Sequence, residues 1–303
     1  MDNLLHFDQV FKEKVFYLPD AARDALEQEF KQRRGYILQD GEFVPKPLSR
    51  GEWRERAKII ERLIPPEILD AIEDAASGRS RCPILIRNMT EVDHIHPSLP
   101  PYPEPNTAKL YSTHIAMALL YDIAVERQHS VPARKFGKQC HATSAIRKKY
   151  DANGFSQAFV GDGIHSDGAL LATFTCPQNP EEAALRFIDI KRVISQLEVG
   201  EIGHIMVTDP MKPTATHSLV AHLNLYRNNP KYLLSVNVVR KLSDPDALKA
   251  YDKLVAANTI DINVQPHDMV VWPDLEIAHT ATRGVKPVQD LYGRVASNVR
   301  VYR

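Results

Sequence analysis

The residues best suited to chemistry lie in two short stretches, far apart in the chain. The first is Gly163-Ile-His165-Ser-Asp167-Gly168. On extended backbone, residues i and i+2 point to the same face. The His165 imidazole and the Asp167 carboxylate can therefore converge on one ion. With 12 histidines in 303 residues, an H-x-D triplet also arises by chance. The plain alternative is a solvated loop with a turn-forming Asp-Gly. The second stretch is Gln265-Pro-His-Asp268-Met-Val-Val-Trp272-Pro-Asp-Leu-Glu-Ile-Ala-His279. It reads as turn, apolar strand, turn, and a further strand presenting His279. Two histidines and one carboxylate make the facial ligand set of non-heme Fe(II), which leaves positions open for other ligands. For His279 the alternative is a satisfied core histidine.

A third feature follows in Gly293-Arg294-Val-Ala-Ser-Asn-Val-Arg300-Val-Tyr-Arg303. Arg294 comes 15 residues after His279, the length of a turn plus a return into the next strand. A guanidinium inside an apolar strand is costly unless it meets an anion, and Arg grips a carboxylate bidentately. Arg294 and Arg300 have the same strand parity and share a face if no bulge intervenes. The alternative is an edge-strand or surface Arg.

Other chemical residues carry less. His94 and His96 sit beside Asp93 and a Pro-rich segment and read as solvated. His217 and His222 are five apart, which suits neither a strand face nor a helical pair. Arg134, Lys135, Lys138, Arg147, Lys148 and Lys149 make a basic stretch best read as a solvated face. Arg283, four residues after His279, is within reach of a substrate carboxylate if it turns inward. No G-x-G-x-x-G, Walker loop or G-x-S-x-G elbow is present.

Composition sets the frame. Lys plus Arg and Asp plus Glu number 38 each, and the zero formal charge argues against a dedicated nucleic-acid binder. Cys82, Cys140 and Cys176 are odd in number and widely spaced, so neither a disulfide framework nor a C-x-x-C metal site is expected. Residues 1–15 lack the basic start and apolar run of a signal peptide, and no apolar run reaches membrane-spanning length. The expectation is a cytoplasmic protein that binds neither nucleic acid nor membrane. The oligomeric state is not readable.

The elements that must position these residues fall into two groups. Residues 1–80 read as helical. Asp20 caps a helix to about residue 33, Ser49 and Glu52 form a capping box, and Pro65-Pro66 ends one helix and begins the next, to Gly78. Residues 83–87 form a buried strand. Residues 97–105 hold five prolines and make a stiff connector. A helix over residues 112–127 follows. Beyond residue 150 strand-like runs dominate, at residues 156–160, 169–175, 205–207, 233–239, 260–264, 269–272 and 295–301. Helices over residues 190–197 and 245–256 interrupt them, the second capped by Ser243 and Asp246. The pattern predicts a mainly β protein with helical buttresses.

In order and spacing, HxD, then "DMVVWPDLEIAHTATRG", then "GRVASNVRVYR" resembles the clavaminate synthase-like and taurine dioxygenase-like Fe(II)/2-oxoglutarate oxygenases. "RCPILIRNM", "LPPYPEPN" and "GIHSDGALLATFTCPQNPEEAALRFIDIKRVISQL" extend the likeness over about residues 80–303. The chain departs from that pattern in having Asp167 where the clavaminate synthase-like hydroxylases often have Glu. It also has no Thr near Leu185 and Arg186, where one often helps hold 2-oxoglutarate. The resemblance implies a single oxygenase domain over residues 1–303, with a helical region at 1–80 and a double-stranded β-helix (a jelly-roll, cupin-like fold) at 81–303. It implies Fe(II) on His165, Asp167 and His279, and 2-oxoglutarate held by Arg294, with Arg300 and Arg186 as further candidates. Arg283 is a candidate for the substrate carboxylate. The reaction implied is hydroxylation of a small amino acid or amino-acid-derived metabolite by O2, with release of succinate and CO2. Desaturation, epoxidation or cyclisation would use the same ligands, and a silent β-helix binding protein is the reading outside enzymes.

Overall fold

The computed structural model describes residues 10–32, 36–39, 42–45, 48–89, 111–127, 131–146, 152–155, 166–204, 206–209, 212–218, 221, 245–288 and 294–303. Four helices form a layer at the N-terminal end of the sequence: α1 (Asp20–Gln32), α2 (Arg50–Leu63), α3 (Pro66–Ala76) and α4 (Tyr111–Tyr121). The capping box at α2 is complete. The Glu52 amide donates to Ser49 Oγ at 3.3 Å, and the Ser49 amide donates to Glu52 Oε2 at 2.8 Å. Pro66 opens α3, where its missing N–H costs nothing. The helix expected through residue 127 changes character at Asp122, where Asp122–Arg127 forms a π-helical turn. The Arg127 guanidinium reaches Asp122 five residues back, at 2.9 Å, which matches the wider i→i+5 repeat.

Thirteen strands are present among the described residues. A large sheet has the order β1-β4-β11-β6-β13-β5, formed by β1 (Lys14–Tyr17), β4 (Ile84–Arg87), β11 (Met269–Trp272), β6 (Leu171–Gln178), β13 (Val295–Val301) and β5 (Cys140–Ile146). The β1–β4 pair is parallel and the other four pairs are antiparallel. A second sheet, β10-β7-β12, holds β10 (Thr259–Ile262), β7 (Leu185–Ile188) and β12 (Ala278–Ala281), all antiparallel. Two hairpins, β2 (Tyr36–Gln39) with β3 (Glu42–Pro45) and β8 (Met206–Asp209) with β9 (Lys212–Ser218), stand apart from these sheets. Short α5 (Phe136–Gln139), then α6 (Ile190–Glu198) and α7 (Pro245–Ala257), complete the described elements together with a 3-10 turn at Glu201–His204.

The large sheet is covered on both faces, and the period-two alternation of its strands sorts residues between two cores. Ile84, Ile86, Leu171, Met269, Val271, Val299 and Val301 join the helices in one cluster. Leu85, Ala172, Phe174, Cys176, Val270, Trp272 and Ala296 join Leu185, Phe187 and Ile262 of the second sheet in another. Double burial is why β11 is written Met-Val-Val-Trp with no polar residue. The fold is thus mixed helix and strand, with helix contributing more than a mainly β reading implies. The region expected to be helical also supplies β1 to the large sheet. Strands expected at 156–160 and 233–239, the connector 97–105 and the Ser243 cap lie outside the described residues. No described helix is long and apolar enough to cross a membrane.

Candidate metal centre

Strand β11 ends at Trp272, and Pro273 turns the chain out of the large sheet, with the Glu276 amide donating to the Pro273 carbonyl at 2.9 Å. Strand β12 then delivers His279 opposite Phe187 of β7. The imidazole is 8% exposed and lies against Trp272, with ring centroids 5.0 Å apart. Asp167 comes from the segment leading into β6. Its Oδ2 is 3.5 Å from His279 Nε2. The other end of the imidazole, Nδ1, is 3.2 Å from Asp274 Oδ1. Asp167, Asp274 and His279 bring donor atoms within 4.8 Å of one another.

Asp274 is fully buried. Burial pushes its carboxyl up, but the His279 hydrogen bond and charge, the Trp272 indole N–H and the Ala169 amide together outweigh it. The group is held below the ordinary carboxylate range.

The last strand places two guanidiniums. Antiparallel pairing sets Arg300 opposite Ala172, near the start of β6, and Arg300 Nη2 is 2.9 Å from Asp167 Oδ2. The Tyr302 phenol bonds Arg300. Burial and the Asp167 and Asp274 charges push its pKa up against the pull of the guanidinium. Arg294 lies just before β13 and is 3% exposed. Its guanidinium carbon is 5.1 Å from the centre of the Phe174 ring. A register shift on the β6 side between Val295 and Ser297 marks a bulge. The inward parity nonetheless survives, because both Arg294 and Arg300 meet groups of the inter-sheet side. Trp272, against His279, is paired with Ala172, and Phe174, against Arg294, is two residues further along the same strand. Arg294 therefore meets β6 two residues, about 7 Å, further along the strand than the residue paired with Trp272, at about 3.4 Å per residue.

Of the residues singled out in the sequence, the fold brings Asp167, His279 and Arg300 together and sets Arg294 behind them. His165, His94, His96 and His222 lie outside the described residues, and His217 falls on β9. Arg186 needs correction as a cosubstrate ligand. It points away from the inter-sheet core and forms two 2.7 Å bonds to Asp261 across the outer face of the second sheet. The cause is alternation: Leu185 and Phe187 take the inner face of β7, which leaves Arg186 outside. Arg283 is exposed, with its guanidinium carbon 5.6 Å from the centre of the Phe155 ring. Arg134, Lys135 and Lys138 are exposed, as a solvated face requires. Asp274, Ser166 and Tyr302 were not anticipated. The Pro-Asp turn before His279 was the available signal for Asp274.

The fold is shared with solved structures of a non-heme iron oxygenase, at low sequence identity. In particular, the chain superposes on non-heme iron oxygenase OrfP in its complex with Fe, succinate and (3S)-hydroxy-L-Arg, with a TM-score of 0.55 and 12% identity, covering 95% of this chain and 94% of that one. The OrfP complex with Fe and alpha-ketoglutaric acid gives a TM-score of 0.54 at 12% identity over the same shares. The complex with Fe, succinate and (3R,4R)-dihydroxy-L-Arg gives 0.53 at 14%, again over 95% and 94% of the two chains. No family model matches the chain, and no curated protein matches it in sequence.

Proposed function

We propose that the chain is an Fe(II)/2-oxoglutarate-dependent oxygenase of double-stranded β-helix fold that hydroxylates a small amino acid or amino-acid-derived metabolite. The carrying observation is the approach of Asp167 Oδ2 to His279 Nε2, at 3.5 Å, at the mouth of two facing sheets. The donors fit the group. One imidazole nitrogen and one carboxylate oxygen suit a divalent first-row ion, and His165, two residues before Asp167 in the sequence, is the candidate for the third donor. Iron bound there, with 2-oxoglutarate, supplies oxidation of a C–H bond by O2, giving the alcohol, succinate and CO2.

The remaining residues do the binding and shielding. Arg294, buried behind the centre, takes the far carboxylate of 2-oxoglutarate. An offset of about 7 Å along β6, plus the reach of a guanidinium, suits a five-carbon diacid whose other end meets the metal. Arg300 belongs to the centre itself through Asp167, which favours Arg294 over Arg300 for the cosubstrate. Trp272, Phe187 and Phe174 pack in the apolar cluster beside the centre, with Trp272 against His279 and Phe174 against Arg294. OrfP binds L-Arg and L-canavanine in two further complexes, and this supports an amino-acid-like substrate here.

The test is succinate formation by purified protein with Fe(II), ascorbate and 2-oxoglutarate, screened over free amino acids. Stimulation by an amino acid, with one oxygen from O2 in the product, is expected. Loss of two hydrogens without oxygen gain would move the protein to desaturation or cyclisation. No 2-oxoglutarate turnover under any condition would sink the oxygenase reading.

A further inference from the structure

Asp274 is a buried acid that a set of two histidines and one carboxylate does not require. Its oxygens are already engaged. Oδ1 accepts the Trp272 indole N–H at 3.0 Å and lies 3.2 Å from His279 Nδ1. Oδ2 accepts the Ala169 amide at 3.0 Å and lies 3.3 Å from the Ser166 hydroxyl. The indole and the amide can only donate, so the carboxylate acts throughout as an acceptor. Its oxygens sit near enough to Asp167 and His279 to count as metal donors on distance alone. Their occupancy argues instead for a brace.

We infer that Asp274 is a positioning residue with two tasks. It fixes His279 in the tautomer that carries hydrogen on Nδ1 and leaves Nε2 bare toward Asp167. It also clamps the segment of Ser166, Asp167 and Ala169 to the segment bearing His279. This inference rests on the metal-centre reading above and adds the device that holds its two halves together.

Ser166 makes the clamp two-sided. It directly precedes Asp167 in the sequence. Its hydroxyl meets the Asp274 backbone carbonyl at 2.5 Å, across 108 residues of sequence, while the Gly168 amide donates to Ser166 Oγ at 3.1 Å. Ligands on segments so distant must otherwise be brought into phase by sheet packing alone, and sub-ångström misplacement is enough to weaken a site. A ligand histidine whose other nitrogen is tied to a carboxylate is also more basic and better aimed.

Asparagine cannot replace this residue. It has one oxygen and one amide NH2, so on one side an N–H donor must face other donors. If the NH2 faces His279, the imidazole must accept at Nδ1 and protonate Nε2. If it faces Ala169, the clamp on the segment bearing Asp167 opens.

The experiment is long-range proton–nitrogen spectroscopy of metal-free protein labelled in histidine nitrogen, paired with Mn(II) titration. Wild-type His279 is expected to carry its proton on Nδ1. Asp274→Asn should lose that state or bind Mn(II) about 10–100-fold more weakly, as outer-shell changes do. Ser166→Ala should keep the tautomer and lose about 2–10-fold in affinity, the worth of one hydrogen bond. A wild-type His279 protonated on Nε2 overturns the proposal, even if Asp274→Asn fails to fold. So does a folded Asp274→Asn protein with wild-type tautomer and affinity. Unchanged affinity in Ser166→Ala removes the clamp and leaves only the tautomer. If wild-type protein binds neither Mn(II) nor Fe(II), the metal-centre reading falls and takes this inference with it.

Discussion

The two faces of β13 divide the labour of the molecule. One face presents Ser297, Val299 and Val301 to the helical layer. Val299 and Val301 join its apolar cluster, and Ser297 shares a 2.7 Å hydroxyl contact with Thr113 of α4. The other face presents Ala296 and Arg300, with Arg294 at its edge, to the space between the sheets. Alternate residues of one strand thus serve stability and chemistry separately. The contrast implies that substitutions on the two faces should fail in different measurements.

The largest failure is expected on the chemical side, at the centre itself. On the proposed function, His279→Ala removes a direct donor. It should abolish turnover and lower Fe(II) affinity beyond the roughly 10–100-fold of outer-shell changes, and Asp167→Ala should do the same. Anaerobic calorimetric titration measures this, with circular dichroism to verify the fold. Wild-type affinity in either variant would remove that residue from the ligand set.

Arg294→Ala comes next. It should weaken 2-oxoglutarate binding by about 2–5 kcal/mol, the range for truncating one side of a buried charged pair, while Fe(II) affinity holds. The metal-to-cosubstrate charge-transfer band, titrated without oxygen, reports it. If Arg300→Ala loses the band and Arg294→Ala keeps it, the roles of the two arginines are exchanged.

On the opposite face, Val299→Ala deletes buried carbon at about 0.8 kcal/mol per methylene-sized group, plus a cavity cost. A loss of about 2 kcal/mol in denaturant unfolding is expected, with iron and 2-oxoglutarate affinities of the folded protein unchanged. A shifted cosubstrate affinity in this variant would break the division between the faces.

The same alternation decides what could be read from sequence. Strands β11 and β13 were legible to the residue: β11 because burial on both sides writes an apolar run that Pro273 ends, and β13 because valine and alanine recur through a segment that follows Gly293. Parity alone paired His165 with Asp167 and put Arg294 and Arg300 on one face, while His279 was offered by the turn-strand-turn pattern of residues 265–279. Strand β7 was missed because it is four residues long and carries Arg186 on its outer side. Arg186 entered the site as a stand-in for the threonine that the resemblance places near Leu185, with no strand parity to set against it. Strand β1 was missed because it is short, half-exposed and paired with a partner about 70 residues away. Asp274 belongs to a different class. Its role exists only after β11, β12 and the start of β6 have closed on one another, and no local pattern encodes that closure.

The smallest predicted effect lies in the helical layer, where two buried groups titrate with opposite signs. His114 on α4 is 7% exposed, and burial, with help from Arg56, lowers its pKa from 6.5 to about 4. Between those values the unfolded chain binds more protons than the folded one. Stability from this group is therefore full above 6.5 and lost as pH falls toward 4. Asp122, in the π-helical turn, is raised from 3.8 to about 7 by burial, against Arg127 and with Glu61. Here the folded state holds the extra proton. Stability is full below 3.8 and lost as pH rises through 7. Lowering the pH from 7 to 6 should cost about 0.5–1 kcal/mol through His114 and return about 1 kcal/mol through Asp122. In wild type the two slopes nearly cancel. Relative to wild type, His114→Gln should gain stability over that step and Asp122→Asn should lose it. The double variant should match the wild-type slope from a different baseline. Urea unfolding at the two pH values measures all four proteins. Parallel slopes in the two single variants would mean that these groups do not titrate in the folded layer as their burial implies.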